Sequence, residues 1–454
     1  MRVALVTPYD TGLRAGGGAV IIRYLIAALE ANGLDVALWL CRDTPSPIGI
    51  TPLTGESGRH DWEIRGLPPQ MAFSLARHAP QSFAALVGQA RAMQVLRPVD
   101  AVIVFNAVTP GLWAMELAAA LGVPYYLMLL DYSFLCPVFS RLHTSGVFCE
   151  GSISEAHCLS CAVARLPSAK RQVFRALRAL PYPVTLALGR LLPALFPASG
   201  RHHVAGAGVR ETRRVDLERY FSAAAGVIYQ SRTMQAQVHA AGLQNAAETI
   251  ACYGVPEPEC HGKKVCADDT TVEFVYLSRP TSEWGLDLLL AVWAEHCTGY
   301  ADRRLTVLSP GIDAWLEQHP QWRGLPNVVF SGETIQGQVA AFHSRFHVLI
   351  LPAQWPGIVA LTALEALAHG TAVIEPHLGG LADFVGPFAM GRGVMPYRYR
   401  DGRSLALCID RLCADRAALA ALMSYAQPIC TLADWGKACR DLMFGPNPAN
   451  RSTA

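Results

Sequence analysis

Charge is scarce in this chain of 454 residues. Asp, Glu, Lys and Arg make up 16% of it, against about 25% in an average soluble chain. Lys+Arg 38 against Asp+Glu 36 leaves a net charge of +2, which excludes a nucleic-acid binder working through bulk charge. Hydrophobic residues reach 52% and mean hydropathy is +0.24, so disorder is excluded and a membrane question arises. A spanning segment is nonetheless missing, since one needs ~20 nearly continuous apolar residues. The longest run free of Asp, Glu, Lys and Arg lies between Arg345 and Glu365 and is broken by Pro352, Pro356 and Gly357. The next candidate for a span, 117–130, is broken by Gly122 and Pro124. No export leader is expected either: Met1-Arg2 runs straight into Val3-Ala4-Leu5-Val6, with no basic, apolar and small-residue regions in succession. The expectation is a cytoplasmic protein whose apolarity lies in parallel sheets. Its 13 cysteines then read as reduced thiols or a metal site, not as a disulfide framework.

At about 100–200 residues per domain, the length predicts two or three domains. Val3-Ala4-Leu5-Val6-Thr7 is a short apolar run of the kind buried on both faces of a parallel sheet. The turn Gly16-Gly17-Gly18 follows, and then a helical stretch, 19–31, with Ile22, Tyr24, Leu25, Ala28 and Leu29 at helical spacing and Asn32-Gly33 closing it. Strand 36–40 completes a right-handed β-loop-α-β unit. The pattern recurs with a strand at 101–105, a helix at 113–121 and strands at 125–130 and 226–229. Beyond 254–269, which is rich in turn residues and charge, strands are predicted at 273–277, 304–308, 328–330, 348–351 and 371–374. Helices are predicted at 285–294, 336–342 and 362–368. The reading is two doubly wound α/β domains facing across a cleft: 1–258, carrying a Cys-rich insertion at 131–200, and 270–431. Open sheets of this kind bind ligands beyond the carboxyl ends of their strands, but many functions share that architecture, so function must come from sites.

Gly16-Gly17-Gly18 stands between the first strand and the first helix, where backbone amides suit a phosphate. It is not G-x-G-x-x-G, which disfavours a dinucleotide, and a purely structural tight turn is the alternative. The second half is more informative. Ser278-Arg279 ends a strand and Trp284-Gly285 opens a helix. The run Leu349 to Gly357 leads into Glu365-Ala366-Leu367-Ala368-His369-Gly370, and His377-Leu378-Gly379-Gly380-Leu381-Ala382-Asp383 follows the next strand.

This order resembles the C-terminal domain of the family 4 retaining glycosyltransferases, which have the GT-B fold. The first half agrees, with its glycine turn and its helix before Ile228-Tyr229-Gln230-Ser231, so the resemblance covers nearly the whole chain. It implies a transferase that passes a sugar, with retention, from a nucleotide-diphosphate donor to a glycan, lipid-linked or small-molecule acceptor. The second domain would hold the donor. The first domain, joined by a returning helix at 432–445 that starts near Asp434-Trp435, would hold the acceptor. Arg279 would place a forked cation on the diphosphate, and Glu365 would accept two ribose hydroxyls. The helix-start amides of Ala360, Leu361 and Thr362 would hold phosphate or sugar oxygens, with Gly16 and Gly17 at the facing helix start. Asp131 and Arg279 are the candidate catalytic groups. The family mechanism implies few protein groups in the chemistry and no active-site divalent metal.

The chain also departs from that family. Trp284 stands where a Lys is expected, Gly357 where the first Glu of a pair is expected, and Leu130 where a His precedes Asp131. Each lost contact is worth ~2–4 kcal/mol of transition-state stabilisation. Either other groups (His377, Asp131, Glu283) compensate, or the chain is a degenerate relative that partners an active transferase.

Two further segments carry chemistry. Cys136-x12-Cys149-x8-Cys158-x2-Cys161, with His143 and His157 nearby, reads as four thiolates around a structural zinc or as four reduced thiols. The stretch 167–201 interleaves Lys170, Arg171, Arg175, Arg178 and Arg190 with apolar residues. That pattern suits a peripheral membrane contact near a lipid-linked acceptor. Pro181, Pro183, Pro193 and Pro197 break it into short pieces, which suits a core-facing wrap instead.

Overall fold

The computed structural model describes residues 1–8, 17–42, 49–53, 61–65, 74–78, 80–105, 112–136, 140–143, 148–150, 210–258, 270–332, 343 and 345–445. Two sheets organise the chain. The first contains β1 (Arg2–Thr7), β2 (Asp35–Cys41), β3 (Gly49–Leu53), β4 (Asp61–Arg65), β5 (Ala101–Val104), β6 (Tyr125–Leu129), β7 (Gly226–Tyr229) and β8 (Glu248–Ile250). Their order is β3-β4-β2-β1-β5-β6-β7-β8, parallel apart from β3 against β4. The second contains β9 (Val272–Leu277), β10 (Arg303–Leu308), β11 (Val328–Ser331), β12 (Val348–Ile350), β13 (Ala372–Pro376) and β14 (Val394–Tyr397). Their order is β11-β10-β9-β12-β13-β14.

Alternation along these strands explains the layers. In β1, Val3 and Leu5 join one core while Ala4 and Val6 join another. Both faces are therefore covered, and the run reads as continuously apolar, as parallel strands do. In β9, Val275 and Leu277 face the same core as Val3 and Leu5, while Phe274 and Tyr276 face the opposite one. One apolar cluster thus runs from β1 and β5 to β9, β12 and β13, joining the two sheets beneath the cleft.

Helix α1 (Gly17–Ala31) and α2 (Arg232–Ala240) belong to the first unit. Helices α3 (Leu286–His296) and α4 (Leu361–Ala368) belong to the second. The last helix, α5 (Leu432–Phe444), opens with a capping box between Thr431 and Asp434 and packs back on α1. Its Gly436 lies so close that a Cβ would strike the Ala28 carbonyl. Trp435, 1% exposed, meets Tyr253 edge-on with ring centroids 5.6 Å apart.

The observed strands fall within two residues of those expected from the sequence, with four additions in β3, β4, β8 and β14. β14 was hidden by Pro396 in a four-residue run. It is an edge strand, where a missing N–H is tolerated. The helix expected at 285–294 starts one residue later, because Gly285 is left-handed, with φ 69°. The helix expected at 336–342, Gly16, Cys158, Cys161, His157, the stretch 167–201 and most of the insertion 131–200 lie outside the described residues. Among the described residues no helix is long and apolar enough to cross a membrane.

Candidate functional site

The segments that follow the carboxyl ends of β6 and β7 meet those that follow β12 and β13. Tyr132, just past β6, donates its hydroxyl to the Pro356 carbonyl at 2.7 Å. Beyond β7, Gln230 donates to the Leu129 carbonyl at 3.0 Å and accepts from the Val359 amide at 3.2 Å. Ser231, the N-cap of α2, donates its hydroxyl to the Gly357 carbonyl at 2.6 Å and accepts from the Met234 amide at 3.0 Å. Thr233 donates from its amide (2.7 Å) and hydroxyl (3.0 Å) to the Asp383 carboxylate. The segment 356–359 is thereby gripped from the first unit.

That grip gives a physical reason for Gly357. Its φ is +74°, and a Cβ there would lie 2.7 Å from the Tyr132 hydroxyl, 3.0 Å from the Met234 amide nitrogen and 3.2 Å from Thr233 Cγ2. A glutamate at this position would carry the same Cβ into the same crowded space, in a backbone conformation L-residues resist. The exchange therefore reflects close approach of two backbones as well as loss of a carboxylate.

Glu365 sits one turn into α4, 5% exposed among Ala363, Leu364, Ala366 and Leu367. Its Oε1 accepts from the Tyr24 hydroxyl on α1 at 2.9 Å, across the junction of the two units. Burial pushes the carboxyl up to about 7, and the Tyr24 bond and the charge of Arg23 keep it from rising further. Gly17 begins the same helix that carries Tyr24 and is exposed. At the start of α4, Ala360 is extended and no side chain caps the helix. Ala363 and Leu364 donate to the Ala360 carbonyl, so the Leu361 and Thr362 amides belong to the first turn, whose donors have no intrahelical acceptor.

Arg279 follows β9 and is exposed, its carbonyl accepting from the Tyr276 hydroxyl at 2.9 Å. Its guanidinium makes no ion pair among the described residues, which leaves it open to an anion. Trp284 is half-buried and meets Trp355 edge-on, with centroids 5.8 Å apart and planes at 67°. The two indoles, with Leu351, Ala360, Glu375 and Gly379, line a cavity of about 10 Å³, room for one water. Gly285 is needed beside it, since a Cβ there would strike the Pro352 carbonyl.

The remaining candidates are placed less centrally. Asp131 is half-buried; its Oδ1 accepts from the Ser133 amide at 2.8 Å, and burial pushes the carboxyl up to about 6. Its neighbour Tyr132 touches segment 356–359, so Asp131 stands beside the junction. His377 is exposed at the end of β13, and Glu283 is half-buried, its carbonyl accepting from the Gln354 amide. Cys136 is buried and Cys149 half-buried, both free thiols. Among the described residues no group of three or more His, Cys, Asp or Glu side chains fits a metal ion. Of the other cysteines described, Cys41, Cys252, Cys297, Cys413 and Cys439 are buried, whereas Cys408 and Cys430 are only partly so.

The sequence reading missed Tyr24, Gln230, Ser231 and Thr233 as junction residues. It also missed Glu375, whose signal was present as an acid inside the apolar run Ala372–Pro376.

Residues 271–415 match the family model described as glycosyl transferases group 1. No curated protein matches the chain. Among solved structures, sucrose-phosphate synthase from Thermosynechococcus elongatus is similar over 94% of this chain and 92% of its own, at 16% identity and TM-score 0.57. HepE from Anabaena, in complex with UDP and glucose, is similar over 97% and 98%, at 14% identity and TM-score 0.57. WaaG, a glycosyltransferase of lipopolysaccharide biosynthesis, is similar over 98% and 100%, at 13% identity and TM-score 0.54. The fold is GT-B. Within this GT-B chain, the stretch that matches the family model spans the second sheet and contains Arg279, Trp284, Gly357, Glu365 and Glu375.

Proposed function

We propose that this chain is a glycosyltransferase that takes a sugar from a nucleotide-diphosphate donor and passes it, with retention, to a glycan, lipid-linked or small-molecule acceptor. The observation that carries the reading is Glu365. It lies within the stretch that matches the family model, and its buried carboxyl already accepts a hydroxyl, that of Tyr24. A ribose hydroxyl offers the same donor, so the donor takes the place of Tyr24 when the two units part.

In this reading each group has a task that follows from its chemistry. Arg279, exposed and without an ion pair among the described residues, binds the diphosphate as a planar fork. The first-turn amides of α4, with Ala360 beside them, add neutral donors on phosphate or sugar oxygens, and Gly17, which Gly16 precedes in the sequence, does so from the start of α1. Asp131 faces the reaction from the first unit, where the acceptor binds together with α5. Its carboxyl, raised to about 6 by burial, is a base of suitable strength near neutral pH. A structural zinc on Cys136, Cys149, Cys158 and Cys161 is not required by this reading, and neither is a membrane contact at 167–201.

A panel of nucleotide sugars tests it. The expected result is thermal stabilisation by at least one of UDP-glucose, GDP-mannose and ADP-glucose, with nucleoside diphosphate released on turnover. Stabilisation without release, on every acceptor tried, would favour the degenerate partner protein instead. The anomeric configuration of the product, read by NMR, tests retention.

A further inference from the structure

β13 alternates between two cores. Ala372 and Ile374 face one, and Val373 faces the other. Glu375 therefore continues the side of Val373, where the pattern calls for an apolar residue. Instead a carboxylic acid stands there, 7% exposed, and its Oε1 has no hydrogen-bond partner among the described residues. A buried polar atom left open is rare enough in folded proteins to ask for a reason. Sheet stability supplies none, because an apolar residue would serve it better.

The surroundings supply one. Glu375 lines the small cavity walled by Trp284, Trp355, Leu351 and Ala360. Asp383, whose charge acts on it, is already taken up by the amide and hydroxyl of Thr233. No cation pairs with Glu375 among the described residues. Burial, reinforced by Asp383, pushes its carboxyl up to about 8, so at neutral pH it carries a proton and can donate as well as accept. An apolar pocket with one convergent polar group is how proteins fix the orientation of a small ligand. The cavity, about 10 Å³, has room for one hydroxyl.

Resting on the nucleotide-sugar reading above, we propose that Glu375 reads a single hydroxyl of the transferred sugar, which enters the cavity between Trp284 and Trp355 while the rest of the ring lies at its mouth. Glu375 is then a specificity-determining group. A sugar lacking that hydroxyl leaves a buried carboxyl unpaired, and sites built in this way reject such analogues strongly.

The test compares nucleotide with nucleotide sugar by calorimetry, using UDP, GDP and ADP beside UDP-glucose, GDP-mannose and ADP-glucose. Glu375→Leu removes the polar group while filling its volume, and Glu375→Gln keeps a donor and an acceptor. The expected result is a loss of at least tenfold in nucleotide-sugar affinity for Glu375→Leu. Binding of the free diphosphate should stay within twofold, and Glu375→Gln should lose far less. Glu375→Leu should also cease to distinguish the sugar from its deoxy analogue. Equal losses for diphosphate and nucleotide sugar, or no loss for either, would overturn the role of Glu375 while leaving the nucleotide-sugar reading intact. Failure of the unmodified protein to bind any of the six compounds would overturn that reading itself.

Discussion

Removing one hydroxyl should tighten nucleotide binding. In Tyr24→Phe the hydroxyl that occupies Glu365 is lost while the ring, packed at the edge of the shared core, remains. The bond is 2.9 Å long, and the Glu365 carboxyl, raised to about 7, is roughly half ionised at pH 7. A hydrogen bond of this mixed character contributes about 1–2 kcal/mol. The unmodified protein must give it up before Glu365 can accept a ribose hydroxyl, and so binds more weakly by that amount. Converted at 1.4 kcal/mol per tenfold, Tyr24→Phe should lower the Kd for the cognate nucleoside diphosphate by about 5–30-fold. Titration calorimetry with UDP, GDP and ADP measures this directly. The gain should be larger at pH 8, where the carboxylate is ionised, than at pH 6, where it is protonated. Unchanged or weaker binding would refute the idea that Tyr24 and donor compete for Glu365.

Two other perturbations follow from the geometry. Gly357→Ala forces a left-handed residue against Tyr132 and the Met234 amide, and should reduce stability by roughly 2–4 kcal/mol. Gly357→Glu, although it restores the residue expected by family resemblance, should lower the melting temperature and leave donor turnover no faster than in the parent. A gain in turnover would contradict the crowding argument. Glu375→Gln should change the pH dependence of stability. Because the folded carboxyl is raised from 4.5 to about 8, its contribution is fully present below pH 4.5 and is lost as pH rises to 8. The parent should therefore lose on the order of 5 kcal/mol relative to the variant over that window, at about 1.4 kcal/mol per pKa unit. Parallel melting curves from pH 4.5 to 8 would show instead that Glu375 is paired or solvated.

How far the sequence reaches into this site depends on how local each signal is. β1 and β9 were legible because burial on both faces writes a continuous apolar run. Glu365 was legible because an acid among alanines at helical spacing has no solvent-facing explanation. Ser278-Arg279 and the turn at Gly379-Gly380 were legible through their order along the chain. Tyr24 was not, since its partner lies 341 positions away and nothing in α1 distinguishes a half-buried tyrosine from a packing residue. Gln230, Ser231 and Thr233 followed a recognised strand, yet their task of holding 356–359 and Asp383 depends on how two sheets meet. Gly357 carried a clear departure whose steric cause appears only when Tyr132 and Met234 are placed against it. Glu375 was the avoidable miss: an acid closing an apolar strand is a local signal.

Donor turnover with Glu365 intact and with Glu365→Gln tests the central claim most directly. The measurement is release of nucleoside diphosphate from UDP-glucose, GDP-mannose and ADP-glucose, with the melting temperature of both proteins recorded alongside. The account predicts release from at least one donor by the unmodified protein. It predicts a loss of tenfold or more for Glu365→Gln, with the fold retained and the loss reported chiefly in KM, since Glu365 binds ribose away from the bond that breaks. No release from any donor, or equal release by both proteins, would contradict it.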